Sequence, residues 1–344
     1  MSKKTKGQEL AEKLVWKAPN IGKDAPKQIA KAEKFCEGYK KFLNEGKTER
    51  ECVSAIVARL VKAGYKPYDA SASYKPGDKV YYVNRKKSLI ATTFGAQGLE
   101  KGVRLNGAHI DSPRLDLKPN PLYEKDDIAL FKTHYYGGIR KYQWTTIPLA
   151  MHGVVVKKDG EVVDVVIGES EEDPVFCITD LLPHLAAKQN ERKLSDGIRG
   201  EELNIVVGSV PYQDDEVKEP VKLLALKLLN DKYGITEADF YRAEIEMVPA
   251  VKATDVGLDR SLVGAYGQDD RVCAYTAMMA EIDTDMPEYT TVTFFADKEE
   301  IGSDGNTGLN SDFLLHYLED LAEQAGVNIR TLLRNSMCLS SDVN

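Results

Sequence analysis

No run of about 18 apolar residues occurs in this chain, so no membrane-spanning helix is expected. The lysines at the start are not followed by an apolar stretch, and no secretory signal is read there. Cysteine is sparse. Cys36, Cys52, Cys177, Cys273 and Cys338 are odd in number, scattered, and without any C-x-x-C spacing. That pattern fits buried thiols in a reducing, cytoplasmic setting better than a disulfide framework or a thiolate zinc site. Excess positive charge is also lacking. The 46 Lys and Arg residues face 54 Asp and Glu, a net charge of -8, which argues against nucleic acid and anionic membranes as partners. Internal repeats and low-complexity tracts are absent.

What remains is an ordinary soluble composition over 344 residues, enough for two domains or for one large domain with an insertion. Apolar residues recur at helical spacing over 25–44. Thr48 and Glu51 form a capping-box pattern ahead of a second helix, which Gly64 ends. Strands are predicted at 79–84, 88–94 and 103–110. Prolines 113, 119 and 121 predict irregular backbone over 112–124. Val-rich strands at 147–157 and 161–168 flank Lys158-Asp159-Gly160, a good hairpin turn. Helices are predicted at 178–189, 219–232 and 236–243, with a strand at 203–208. From residue 244 the order becomes strand, loop, helix, strand, helix, strand. The reading is an α/β fold, a mixed β-sheet flanked by helices, split by a β-rich insertion. Residues 1–121 form the first part of the main domain, 122–250 the insertion and 251–344 the second part.

Four short motifs carry the chemistry. His109 and Asp111 lie two apart in GAHIDSPRL, so in extended backbone they share one side. The carboxylate can then hold the imidazole tautomer that leaves the other nitrogen free for a metal. Asp269 and Asp270 adjoin in GQDDRV, and a cation is one reason for adjacent carboxylates to share a site. Glu299 and Glu300 follow an apolar strand in FFADKEEIGSDG, where one can ligate a metal and the other act as general base. Asp342 in LSSD follows another. Taken singly, each has an ordinary reading: a structural histidine, a helix cap, an acidic loop. Together, one imidazole and several carboxylates at predicted strand ends suit zinc or manganese. Two such metals about 3.5–4 Å apart can clamp the attacking and leaving groups of a hydrolysis.

GAHIDSPRLDLKPNP, QDDRV, ADKEEIGS and SSDVN, in this order, resemble the aspartyl-aminopeptidase family of dinuclear zinc aminopeptidases. The resemblance implies metal-dependent removal of N-terminal residues from peptides, with acidic residues preferred. It implies two zinc ions, for which manganese or cobalt can substitute. His109 and Asp342 would hold one zinc, Asp269 would bridge both, and Glu300 would hold the second. Glu299 would be the general base, Asp111 would orient His109, and the Asp269–Asp270 bond would be cis. The insertion would be a dimerisation domain, with dimers assembling into a dodecamer. His184 would reach a neighbouring subunit's site and stabilise the oxyanion. Family members continue past the last motif and there supply a histidine to the second zinc, for which no histidine here stands in. His134 and His152 match no role and read as surface or interface packing, and His316 reads as structural. Two other readings stay open: a dinuclear zinc deacylase or carboxypeptidase, and a catalytically impaired, truncated homologue serving as an oligomerising scaffold.

Overall fold

The computed structural model describes residues 4–343. The chain opens with helices α1 (Lys6–Leu14), α2 (Ile21–Asp24), α3 (Ile29–Glu45) and α4 (Glu49–Lys62). The capping box of α4 forms as the sequence predicts. Thr48 Oγ1 accepts from the Glu51 amide at 3.3 Å, and Glu51 Oε2 accepts from the Thr48 amide at 3.1 Å. Strands β1 (Lys66–Pro67), β2 (Lys79–Asn84), β3 (Ser88–Thr93) and β4 (Arg104–His109) follow.

A second group of strands then makes its own sheet. These are β5 (Arg114–Lys125), β6 (Ile128–Tyr136), β7 (Leu149–Val156), β8 (Val162–Ile167), β9 (Ile205–Gly208) and β10 (Ala243–Pro249), with helices α5 (Ala187–Asn190) and α6 (Pro220–Tyr233) between them. The chain next forms the small hairpin β11 (Thr254–Val256) and β12 (Leu262–Gly264). It ends with α7 (Gln268–Ile282), β13 (Thr291–Ala296), α8 (Phe313–Gln324), α9 (Ile329–Asn335) and β14 (Met337–Ser340).

The first sheet has the order β1-β2-β3-β13-β4-β14. Strand β4 is parallel to both β13 and β14, whereas β3 runs antiparallel to β2 and β13. Alternation along β13 fills two cores. Phe295 joins α3, α4 and α7 on one face, and Val292, Phe294 and Ala296 join α8 and α9 on the other. Strand β3 is buried along its whole length because both faces are covered. Helix α7 is pinned at its far end by Glu281, whose carboxylate accepts from Thr93, Thr291 and Thr293 at 2.7–2.9 Å. The second sheet, ordered β8-β7-β10-β5-β6-β9, is antiparallel throughout and packs one face against Val221, Ala225 and Leu229 of α6.

Three expectations need correction. Residues 114–125 are not irregular. They form β5, whose pairing with β6 shifts between Leu117 and Leu122, and Pro119 and Pro121 occupy that shift, where no ladder bond is required of them. The partner strand β6 was not anticipated either. The helix expected over 178–189 is reduced to Ala187–Asn190, because Pro183 interrupts it and Asp180 Oδ1 takes the Leu181 amide. Residues 237–242 form a 3-10 helix in place of the expected α-helix.

Where the sheets meet, buried acids and bases are matched. Arg114 on β5 contacts Asp116 at 2.8 Å, Glu246 at 3.1 Å and Glu49 at 3.3 Å, and Lys87 reaches Glu49 at 3.0 Å and Glu244 at 2.9 Å. Burial opposes ionisation of Glu49, but Arg114 and Lys87 outweigh it and hold its carboxyl down at about 2. Glu246 is pushed well up by burial and by the Glu49 charge. His152 on β7 is buried, with Nδ1 2.7 Å from Glu51 and Nε2 3.1 Å from Glu169. It ties α4 to the second sheet and is not a surface residue.

Candidate metal centre

The parallel strands of the first sheet deliver the motif residues to one edge. His109 ends β4 opposite Ala296 of β13, and Ser340 of β14 lies opposite Gly107. Glu299 and Glu300 lie in a 3-10 turn three residues beyond β13, and Asp342 lies two residues beyond β14. Open α/β sheets gather their reactive groups at such carboxyl ends. Asp269 and Asp270 come from the start of α7, where helical dihedrals begin only after Asp270. The peptide bond between them is cis. Ser112 Oγ donates to the Asp269 carbonyl at 2.7 Å and ties this turn to the β4 exit.

His109 is buried, and its two nitrogens face different surroundings. Nδ1 lies 3.2 Å from Asp111 Oδ1 and 3.0 Å from the Asp111 carbonyl oxygen. Nε2 faces Asp269 at 3.2 Å, Glu299 at 3.7 Å and Asp342 at 3.8 Å. Asp111 is fully buried, and the amides of Glu299 and Glu300 donate to its oxygens at 3.2 Å each. Two sets of side chains could therefore hold a metal. The ligating atoms of His109, Asp270 and Asp342 lie within 4.8 Å of one another, as do those of His109, Asp269 and Glu300. A cavity of about 180 Å³ opens over His109, Glu299 and Asp342, walled by Leu105, Phe294 and Leu309.

The electrostatics fit a cationic occupant. Burial pushes the Glu300 carboxyl up to about 7, with His109 opposing and Asp269, Asp111 and Glu299 adding repulsion. Burial, with the Asp342 charge adding to it, likewise raises Asp270 to about 6. Burial works against a charged His109, yet the hydrogen bond and charge of Asp111 prevail and lift it to about 9. Asp270 Oδ1 is buried with no hydrogen-bond donor. Carboxylates outnumber bases here, one buried oxygen lacks a partner, and the donor set is one imidazole plus oxygens. These residues fit zinc.

The structure thus brings together His109, Asp111, Asp269, Glu299, Glu300 and Asp342. It does not bring His184 to them within one chain. That residue is exposed in the irregular segment after Ile178 and does not line the cavity. His134 is exposed and stacked on Tyr135, and His316 is exposed on α8. Two residues at the site carried no role in the sequence reading. Asp270 was signalled only by its adjacency to Asp269. Tyr136, whose hydroxyl donates to Asp111 Oδ2 at 2.8 Å, had no signal at all.

The chain resembles known proteins in sequence and in fold. The family model for aminopeptidase I zinc metalloprotease (M18) matches residues 42–344. A probable M18 family aminopeptidase 1 of Clostridium acetobutylicum is 49% identical over 326 residues, covering 92% of this chain and 70% of that protein. The crystal structure of an M18-family aminopeptidase from Thermotoga maritima superposes with a TM-score of 0.89 at 46% identity, covering 95% of this chain and 72% of that one. A more distant structure, the S. cerevisiae mApe1 dodecamer, shares the fold at 23% identity and a TM-score of 0.72, covering 91% of this chain and 72% of that one.

Proposed function

The chain belongs to the M18 family of zinc aminopeptidases, and from that premise we propose that it hydrolyses the first peptide bond of peptides using two zinc ions held around His109. The observation that carries the reading is the division of labour at His109. Asp111 takes Nδ1, and Nε2 is left facing Asp269, Glu299 and Asp342. His109 and Asp342 would hold one ion, Asp269 would lie between the two, and Glu300 would hold the second. When bound, zinc supplies a Lewis acid for the scissile carbonyl and lowers the pKa of water to about 7.

The chain's own residues do the rest. Glu299, with its side chain 45% exposed, takes a proton from the attacking water and passes it to the departing amine. Addition of the water oxygen to the scissile carbonyl carbon forms the C–O bond and a tetrahedral oxyanion; its collapse breaks the C–N bond, and the proton leaves with the new amino terminus. Asp111 keeps His109 in one tautomer and one orientation. His184, exposed in the second sheet's irregular segment, is free to serve a neighbouring copy's site. The proposal includes residues 122–250 as an inserted dimerisation domain, assembly of dimers into a dodecamer, a preference for acidic N-terminal residues, and a cytoplasmic location. Of the five cysteines only Cys52 is buried, against the buried thiols read from the sequence; unpaired thiols within reach of solvent support the last point. Among the described residues, no helix is long and apolar enough to cross a membrane.

The test uses zinc-loaded protein on aminoacyl-p-nitroanilides and on short peptides with free or acetylated amino termini. Free termini are cleaved and acetylated ones are not, with Asp and Glu leading the panel. Equal cleavage of the acetylated peptides overturns the exopeptidase reading in favour of an endopeptidase or a deacylase.

A further inference from the structure

Asp111 is wired on every side. His109 Nδ1 and the Glu299 amide lie at Oδ1, and the Glu300 amide and the Tyr136 hydroxyl at Oδ2. Three of these donors belong to the first sheet and its loops. The fourth comes from the last residue of β6, in the other sheet. We infer that Tyr136 is a positioning residue for the metal centre, acting through Asp111 on His109, and that it couples the second sheet to the site. The inference rests on the metal reading proposed above.

The geometry around Tyr136 explains why its hydroxyl stays in place. Tyr136 and Arg114 are direct cross-strand partners on β6 and β5, so their side chains share one face of the sheet. The Arg114 guanidinium lies 3.8 Å from the centre of the Tyr136 ring, a close cation–π contact. Arg114 is itself held by Asp116, Glu246 and Glu49. The ring is 9% exposed, so water cannot readily replace its hydroxyl at Asp111. Burial and the Asp111 charge push the phenol far above its ordinary pKa, so it remains a donor at any working pH. Without that donor, Asp111 Oδ2 keeps only one amide at 3.2 Å, and the carboxylate is free to turn away from His109. Hydrogen bonds to charged groups and outer partners of metal ligands carry effects of about 10–100-fold on affinity or activity.

The experiment compares wild type, Tyr136→Phe, Asp111→Asn and the double variant. Zinc affinity is measured by chelator competition, kcat and KM on a p-nitroanilide, and melting temperature on metal-free protein. Tyr136→Phe keeps the ring and its contact with Arg114. It is expected to weaken zinc binding and kcat about 10–100-fold, to leave KM near wild type, to lower the metal-free melting temperature only by the loss of one buried hydrogen bond, and to add nothing in the Asp111→Asn background. Wild-type zinc affinity and kcat in Tyr136→Phe overturn the inference. So does a lower metal-free melting temperature with zinc affinity unchanged, which makes the residue merely structural, or an effect that persists in full beside Asp111→Asn. If wild type itself holds no zinc, the metal reading falls and takes this inference with it.

Discussion

Two acidic clusters lie back to back in this molecule, with Tyr136 between them, and they are balanced in opposite ways. Around Arg114, the acids Glu49, Asp116, Glu244 and Glu246 meet Arg114, Lys87 and Arg50, and Glu246 is driven toward its neutral form. Around His109, six carboxylates meet one imidazole, with no Lys or Arg among the described residues paired to any of them. The difference separates an internally compensated structural network from a site that needs positive charge from outside. Counting acids alone would not distinguish them. Counting the bases within reach does.

The sharpest break of this contrast is at His109, which belongs to both candidate ligand sets. His109→Ala is expected to reduce bound zinc, read by plasma emission spectroscopy, to background. Peptide hydrolysis should fall by more than the ~10–100-fold typical of an outer partner. Next is Glu299→Ala, expected to cost ~10²–10⁴-fold in turnover while metal content is kept. Metal lost with turnover would exchange the roles of Glu299 and Glu300.

On the compensated side, Arg114→Met strands buried carboxylates and is expected to cost ~3–5 kcal/mol in urea unfolding. Glu246→Gln, by contrast, should be near neutral. The smallest effect is at His152. Burial lowers its pKa, but the bonds to Glu169 and Glu51 prevail and raise it above its ordinary 6.5. A raised pKa gives stability that is fully present below pH 6.5 and is lost as pH rises through the folded value. Lys47 and Lys252 also face Glu169 and temper the effect. Wild type should therefore lose stability on the alkaline side of pH 6.5 that His152→Gln does not lose, as followed by urea midpoints across pH.

The residues that gather around His109 were legible in the sequence because each follows a strand signature or sits in an acidic doublet. The first sheet's strands other than the two-residue β1 were legible for the same local reasons, and Thr48-x-x-Glu51 marked the start of α4. The misses at β5, β6 and Tyr136 come from pairing over long sequence distance, and the lost helix at 178–189 comes from local side chains. Pro119 and Pro121 speak locally against a strand, yet β6 pairs with β5 on both sides of the shift, and β10 pairs with it at Leu115 and Asp116. Leu181, Leu182 and Leu185 suggest a helix face, yet Pro183 and Asp180 decide that backbone. Tyr136 and Arg114 reveal nothing in one dimension, since their significance lies in a cross-strand contact and a hydroxyl aimed at Asp111.

The common level at which β13, β4 and β14 end has a thermodynamic consequence. His109, the Glu299–Glu300 turn and Asp342 are brought together by backbone ladders between distant segments, so an unfolded chain has no such meeting point. A metal that binds only the assembled site acts on folding by mass action. At free concentrations a hundredfold above its dissociation constant it deepens the native well by ~2.7 kcal/mol. Resistance to unfolding then becomes a property of the solution as well as of the chain, and a chelator acts as a denaturant that touches no hydrophobic core.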